Sequence, residues 1–218
     1  MSRDSQNSHP PRPLPKRKTY DRAYYDRWYR HPRHRAATPD QRERKVRLAL
    51  SVAEYVVGRP VRSVLDVGCG EGAWFPILKR LRPDARYIGV DPSDYVVRRF
   101  GAARHIKQGS FVNFDELRLP ATVDLVVCAD VLQYVASRDV VRGLTAIRRR
   151  LRGANGGVAY IEAYTTDDDM VGDRVDWHDR TAAAYRRLFR SAGLTQCGPQ
   201  CYTDLDHVNM PLSFDHFR

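Results

Sequence analysis

A β-branched, apolar run from Val61 to Val67 ends in glycines at every second position: Gly68, Gly70 and Gly72. A helical pattern opens behind them, with Ala73, Trp74, Ile77, Leu78 and Leu81 at three- and four-residue spacing. Pro76 falls in its first turn, where a missing N–H costs little. Strand, tight turn and helix in that order make the opening unit of a doubly wound α/β sheet. Glycine is needed in the turn because the chain reverses through φ values that a Cβ resists, and because a ligand comes close to the backbone there. The helix aims its unpaired N–H groups at whatever is bound.

Two ligand classes use such a turn. Gly68-x-Gly70-x-x-Ala73 satisfies the dinucleotide fingerprint, which is a weak signal alone. Asp66 adds a second constraint, because a carboxylate at the mouth of the strand repels a pyrophosphate and suits a cation. S-adenosylmethionine (SAM) carries an ammonium and a sulfonium and no phosphate. The string Leu65-Asp66-Val67-Gly68-Cys69-Gly70-Glu71-Gly72 closely resembles motif I of the class I SAM-dependent methyltransferases. The resemblance implies an α/β, Rossmann-like, doubly wound sheet of seven strands, six parallel and one antiparallel, with helices on both faces. It also implies SAM as methyl donor, held in this motif by Asp66, Gly68, Cys69, Gly70 and Gly72.

Further stretches match the same family in turn. Tyr87-Ile88-Gly89-Val90-Asp91 reads as the second strand, with Asp91 standing 23 residues beyond Gly68. A carboxylate at that place accepts both ribose hydroxyls of a nucleoside. The competing reading makes Asp91-Pro92-Ser93 a plain helix cap. His105 to Phe111 is the third strand and its exit; where the family commonly has an adenine-binding acid, this chain has Ser110, whose hydroxyl still hydrogen-bonds. Phe111 either stacks on adenine or belongs to the core. Val123 to Val135 is a largely apolar strand that exits into Asp130, Val131, Gln133 and Tyr134, and it closely resembles the family's fourth motif. The strings that hold a flipped base amine, Asn/Asp-Pro-Pro-Tyr/Phe, and a Pro-Cys nucleophile for cytosine are both absent.

Charge divides the chain. Residues 1–50 hold 14 Lys/Arg and 5 Asp/Glu, or +9, which leaves +2 of the total +11 for residues 51–218. Residues 1–18 are basic and proline-rich and are expected to be a disordered tail, either a solvated leader or a weak nucleic-acid contact. Residues 19–37 carry Tyr20, Tyr24, Tyr25, Trp28 and Tyr29 at helical spacing, the pattern of a basic and aromatic cap over the pocket. The alternatives are a stripe packed on the main domain or a surface that stacks on bases. His31-Pro32-Arg33-His34 breaks that helix, and residues 38–218 form the methyltransferase-like domain. Thr38-Pro39-Asp40 starts a helix that Gly58 ends. Arg148-Arg149-Arg150 reads as a solvated helix face, Asp167-Asp168-Asp169 as a substrate-facing loop, and the segment after Leu194 as two strands around Asp204-Leu205-Asp206.

Methyl transfer needs chiefly the positioning of a nucleophile, and a base only if the acceptor loses its proton early. Glu162, His178, Tyr134 and His31 are candidates for that base, Gln133 and Tyr164 line the acceptor side, and His207 is structural. No metal site is expected: Cys197-x-x-x-Cys201 lacks a second ligand pair. No apolar run approaches the length of a membrane span, and the N-terminus lacks the apolar core of a secretory signal. Cysteine usage and these absences set a cytoplasmic location as the expectation. The expected function is SAM-dependent methylation of an oxygen or nitrogen on a small molecule. An RNA or ribonucleoprotein methyltransferase using the basic arm and a catalytically inactive binding module are the alternatives.

Overall fold

The computed structural model describes residues 18–31, 37–170 and 173–208. A seven-stranded sheet forms its centre, in the order β3-β2-β1-β4-β5-β7-β6. β1 (Ser63–Val67) pairs in parallel with β2 (Arg86–Asp91) and with β4 (Leu125–Ala129). β3 (Ile106–Gln108) and β5 (Val158–Glu162) extend the parallel array on either side. β7 (Cys201–Thr203) runs antiparallel to β5 and to the edge strand β6 (Thr195–Gly198), so six strands share one direction and one is reversed.

The strands read as unbroken apolar runs because both of their faces are covered. Leu65, Val67, Val126, Cys128 and Ile161 point to α5 (Ser137–Arg150) and α6 (Ala182–Ser191). Val64, Leu125, Val127, Val158 and Tyr160 point the other way, to α2 (Pro39–Val57) and α3 (Phe75–Leu81). The side-chain period of two along each strand therefore feeds two cores from one sequence. α4 (Asp94–Arg104) packs on β2 and β3.

Helix ends follow local chemistry. Thr38 caps α2 by a full capping box: its hydroxyl accepts from Gln41 N at 3.2 Å while Gln41 Oε1 accepts from Thr38 N at 2.8 Å. The cap of α4 is Ser93, whose Oγ accepts from Val96 N, so Asp91 is not a helix cap. Ahead of the sheet lies a short α1 (Arg22–Tyr25) that continues as one turn of π-helix, Asp26–Arg30, closed by His31 N on Asp26 O.

Two expectations need correction. The C-terminal hairpin turns at Pro199-Gln200, ahead of Asp204, and Gln200 takes the left-handed φ of 57° that the turn demands. Asp204 instead accepts from Arg148 Nη2 at 2.9 Å and Arg152 Nε at 2.7 Å. Arg150 is buried and pairs with Asp115 at 2.9 Å, so the three arginines fasten α5 to its neighbours and are not a solvated face. Asp168 closes the loop at Thr165 by accepting from both its N–H and its hydroxyl. The basic tail up to residue 17 and the end of the chain from residue 209 lie outside the described residues.

Candidate functional site

The carboxyl ends of β1, β2 and β4 open into a cavity of about 310 Å³. Its floor is the glycine turn. Gly68 and Gly70 have φ of 75° and 53°, and a Cβ on Gly68 would fall 2.3 Å from Cγ2 of Val131. Gly72 also has positive φ, but its neighbours are Ile106 and Arg104; it shapes the turn and does not line the cavity.

Asp91 stands at the tip of β2 and accepts from Gly70 N at 2.8 Å, Ser93 N at 3.0 Å and the Tyr25 hydroxyl at 3.4 Å. Burial raises its carboxyl to about 6 against those three donors. Pro92, Val112 and Val131 continue the wall. Ser110 lines the cavity too, with its hydroxyl donating to Asn113 Oδ1 at 2.9 Å. Phe111 lines the cavity as well and also packs inward: it is 3% exposed and its ring lies against Gly143 of α5.

The aromatic segment forms the roof. Tyr25 is buried against Val96 and Ile106 while its hydroxyl reaches Asp91, so packing and capping are one arrangement. Tyr20, Tyr24, Trp28 and Tyr29 line the same cavity. Polar ties hold the roof to the domain, among them Tyr25 to Asp91, Arg30 to Glu71 and to the Tyr95 hydroxyl, and Ser93 Oγ donating to Tyr20 O. Another crosses the mouth. Lys18 Nζ lies 2.9 Å from Asp173 and 3.5 Å from the centroid of the Tyr134 ring. Burial lowers the Lys18 pKa, and Asp173 opposes the shift.

A smaller cavity of about 70 Å³ lies beyond the turn, walled by Asp66, Cys69, Lys45, Trp74 and Glu162. Asp66 accepts from the Tyr87 hydroxyl at 2.8 Å, and burial raises its carboxyl to about 7, with the charge of Asp91 adding to the shift. Glu162 sits here and not at the acceptor side: it pairs with Lys45 at 2.5 Å. Asp130 lines both cavities. Its backbone has φ of 62°, its Oδ1 is shielded with no hydrogen-bond partner, and burial raises its carboxyl to about 7, helped by Glu162.

Of the expected bases, Tyr134 alone lines the larger cavity. Its hydroxyl donates to Asp173 O at 2.8 Å. His178 is exposed; its contribution is a backbone N–H to Gln133 O at 2.7 Å. His31 is exposed as well, and His207 leans on Asp204. Gln133 is buried, with Oε1 unpartnered, and Tyr164 completes the wall. Three contributors had no visible sequence signal. Lys45 comes from α2 and Asp173 from a loop. Arg180 is buried and donates to Leu132 O, Val135 O and Ser137 Oγ, which fixes the turn after β4. Among the described residues, no cluster of His, Cys, Asp and Glu has the makings of a metal site, and no helix is long and apolar enough to cross a membrane.

This strand order, with a glycine turn beneath acids on β1, β2 and β4, is the architecture of the class I methyltransferases. Residues 65–158 match the family described as a methyltransferase domain. A curated relative, the ubiquinone biosynthesis O-methyltransferase of Cupriavidus pinatubonensis, is 30% identical over 95 residues. That match covers 40% of this chain and 37% of the relative, so little more than a third of the relative's length is represented. A SAM-dependent methyltransferase from Archaeoglobus fulgidus superposes with a TM-score of 0.53 at 16% identity, covering 70% of this chain and 69% of that one. The N,N-8-amino-8-demethyl-D-riboflavin dimethyltransferase from Streptomyces davawensis superposes at 0.51 and 19%, covering 74% and 52%. At such identities the two structures speak to fold alone.

Proposed function

We propose that this protein is an enzyme that transfers a methyl group from SAM to an oxygen or nitrogen of a small molecule. The observation that carries the reading is the charge of the site. Asp66, Asp91 and Asp130 surround the glycine turn, and burial raises all three carboxyls to between about 6 and 7. Such a site gains from a cation and is repelled by a pyrophosphate. The residues fit a nucleoside with a cationic tail: Gly68 leaves a cradle that a Cβ would fill, and Asp130 holds out an acceptor atom without a donor.

On this reading Asp91 accepts the ribose hydroxyls, for which the long bond from Tyr25 is the one most readily exchanged. Pro92, Ser110 and Val112 border the base. Asp66 faces the ammonium of the amino-acid tail in the smaller cavity, and Lys45 stands near for its carboxylate. The bound donor supplies a methyl group on a cationic sulfur, open to in-line displacement. Trp28, Gln133, Tyr134 and Tyr164 present the acceptor, and the roof keeps water away. The unpartnered Oε1 of Gln133 suits an acceptor that brings an O–H or N–H. A roofed cavity of about 310 Å³ is the size of a small-molecule site. The name of the curated relative, an O-methyltransferase of ubiquinone biosynthesis, supports the same acceptor class.

Titration calorimetry tests the reading. SAM and its demethylated product S-adenosylhomocysteine (SAH) should both bind, and NAD should not. Binding of NAD without binding of SAM overturns the proposal. Incubation with labelled SAM and cell extract, followed by separation of labelled products, then identifies the acceptor.

A further inference from the structure

The two cavities share three residues: Tyr29, Gly68 and Asp130. The larger has walls for a nucleoside, and the smaller has a carboxylate and an ammonium for an amino acid. In SAM a single atom joins those halves, the sulfur, bonded to the ribose carbon on one side and to the amino-acid chain on the other. If the donor lies as proposed, its sulfonium passes where the cavities meet.

Other acidic side chains stand around the turn and the smaller cavity, each with a donor on its carboxylate. Asp66 accepts from Tyr87, Asp91 from Gly70 and Ser93, and Glu162 from Lys45. Asp130 stands at the junction with a shielded Oδ1 that has no hydrogen-bond partner, while the Tyr164 hydroxyl beside the carboxyl favours its charged form without supplying a counter-charge. Lys45 is the cation that acts on it, and Lys45 is already paired with Glu162. Asp130 is held there in left-handed backbone at φ 62°, with its N–H on Glu162 O at 3.1 Å. Left-handed backbone is unfavourable for a non-glycine residue and persists where the surroundings hold it in place. Tyr29 adds an aromatic face, which attracts a cation through its quadrupole.

We propose that Asp130, with the ring of Tyr29, reads the charge on the donor's sulfur, holding the cationic sulfonium and releasing the neutral thioether of the product. The proposal rests on SAM being the ligand. With a sulfonium in place, the carboxylate has a counter-charge of its own, which Lys45, shared with Glu162, does not give it. Once the methyl has left, the sulfur is neutral and the buried carboxylate again has only the shared charge of Lys45, a state costly in a low-dielectric site. The discrimination thus acts on product release, with no role in activating the acceptor.

The test uses the full chain and Asp130→Asn, a substitution of nearly equal shape whose side chain also tolerates left-handed backbone. Calorimetry is run with three probes: SAM, SAH, and sinefungin, which carries an ammonium-bearing carbon in place of the methylated sulfur. The substitution should weaken SAM and sinefungin by roughly 10- to 100-fold and change SAH by less than about threefold, the span expected for one charge-assisted contact. Tyr29→Leu should shift the same ratio in the same direction by a smaller factor, and it keeps the test open if Asp130→Asn misfolds by circular dichroism. Equal losses for all three probes, or no loss for SAM, overturn the charge-reading role and leave SAM as the ligand. If the unmodified protein binds none of the three, the donor assignment falls and this inference with it.

Discussion

Gly68→Ala should destabilise the fold by about 2–5 kcal/mol, and Val131→Ala should cancel part of that loss. Gly68 holds φ at 75°, and its added Cβ would sit 2.3 Å from Val131 Cγ2, then 3.5 and 3.6 Å from Cβ and Cγ1 of the same residue. Placing a Cβ in left-handed backbone costs roughly 1–2 kcal/mol. Forcing Val131 out of its position adds roughly 1–3 kcal/mol of overpacking. Val131→Ala alone removes two partly buried methyls, worth roughly 1 kcal/mol at about 0.8 per fully buried carbon. In the double variant the backbone cost stays and the overlap goes, because the nearest remaining atom is at 3.5 Å, an ordinary contact. The double-mutant cycle should therefore depart from additivity by roughly 1–3 kcal/mol. Urea unfolding of the four proteins, with slopes checked for equality, measures it. Additivity within about 0.5 kcal/mol would refute the close approach of the glycine turn to the β4 exit, and with it the shape given to the cavity floor.

Three further outcomes follow from the same geometry. Asp66, Asp91 and Asp130 have folded pKa values raised above their unfolded ones, so their contribution favours the empty protein at low pH and is lost as pH rises through about 6 to 7. A cationic ligand reverses that loss: the rise in Tm given by a fixed concentration of SAM should grow between pH 5.5 and 8 more than the rise given by SAH, and identical pH profiles would contradict it. Arg180→Ala should cost at least about 2 kcal/mol in urea unfolding, since it strips the guanidinium's buried hydrogen bonds from Val135 O and Ser137 Oγ and leaves Leu132 O with the Val135 N–H alone, whereas a loss under about 0.5 kcal/mol would refute its role. Lys18→Ala should speed dissociation of SAM in stopped-flow experiments by opening the tie to Asp173 over Tyr134, and an unchanged rate would remove the tie from the account of the mouth.

The sequence revealed what is local. The glycine turn, the acid at the tip of β2 and the exit of β4 are short strings whose backbone demands and side-chain chemistry coincide, and the structure brings them together around one cavity. Contributions that depend on how distant elements pack were not legible. Lys45 reaches the smaller cavity only because α2 lies across β4 and β5, and nothing in its surroundings along the chain distinguishes it from the solvated cations nearby. His178 has the chemistry of a base but points to solvent, because its backbone is recruited to hold Gln133. The hairpin was misplaced for a different reason. Asp204-Leu205-Asp206 has turn-like composition, yet Asp204 is buried by two arginines, while the true turn lay in the unregarded Gly198-Pro199-Gln200.

The roof and the buried acids are one device. Three carboxyls raised to between about 6 and 7 describe a site whose negative charge is poorly solvated, and the aromatic segment contributes to the cover over Asp91 and Asp130. Tyr25 and Tyr29 lie over the glycine turn, with ring carbons 3.5 and 3.9 Å from where a Gly70 Cβ would stand. Lifting them would admit water to Asp91 and Asp130 and weaken the charge interactions there by the higher dielectric. On the proposed function, preference for a cationic ligand originates as much in the aromatic segment, which carries no charge of its own at these rings, as in the acids themselves. The two have to be present together: acids without a roof would hold solvated counterions, and a roof without acids would hold any flat apolar molecule.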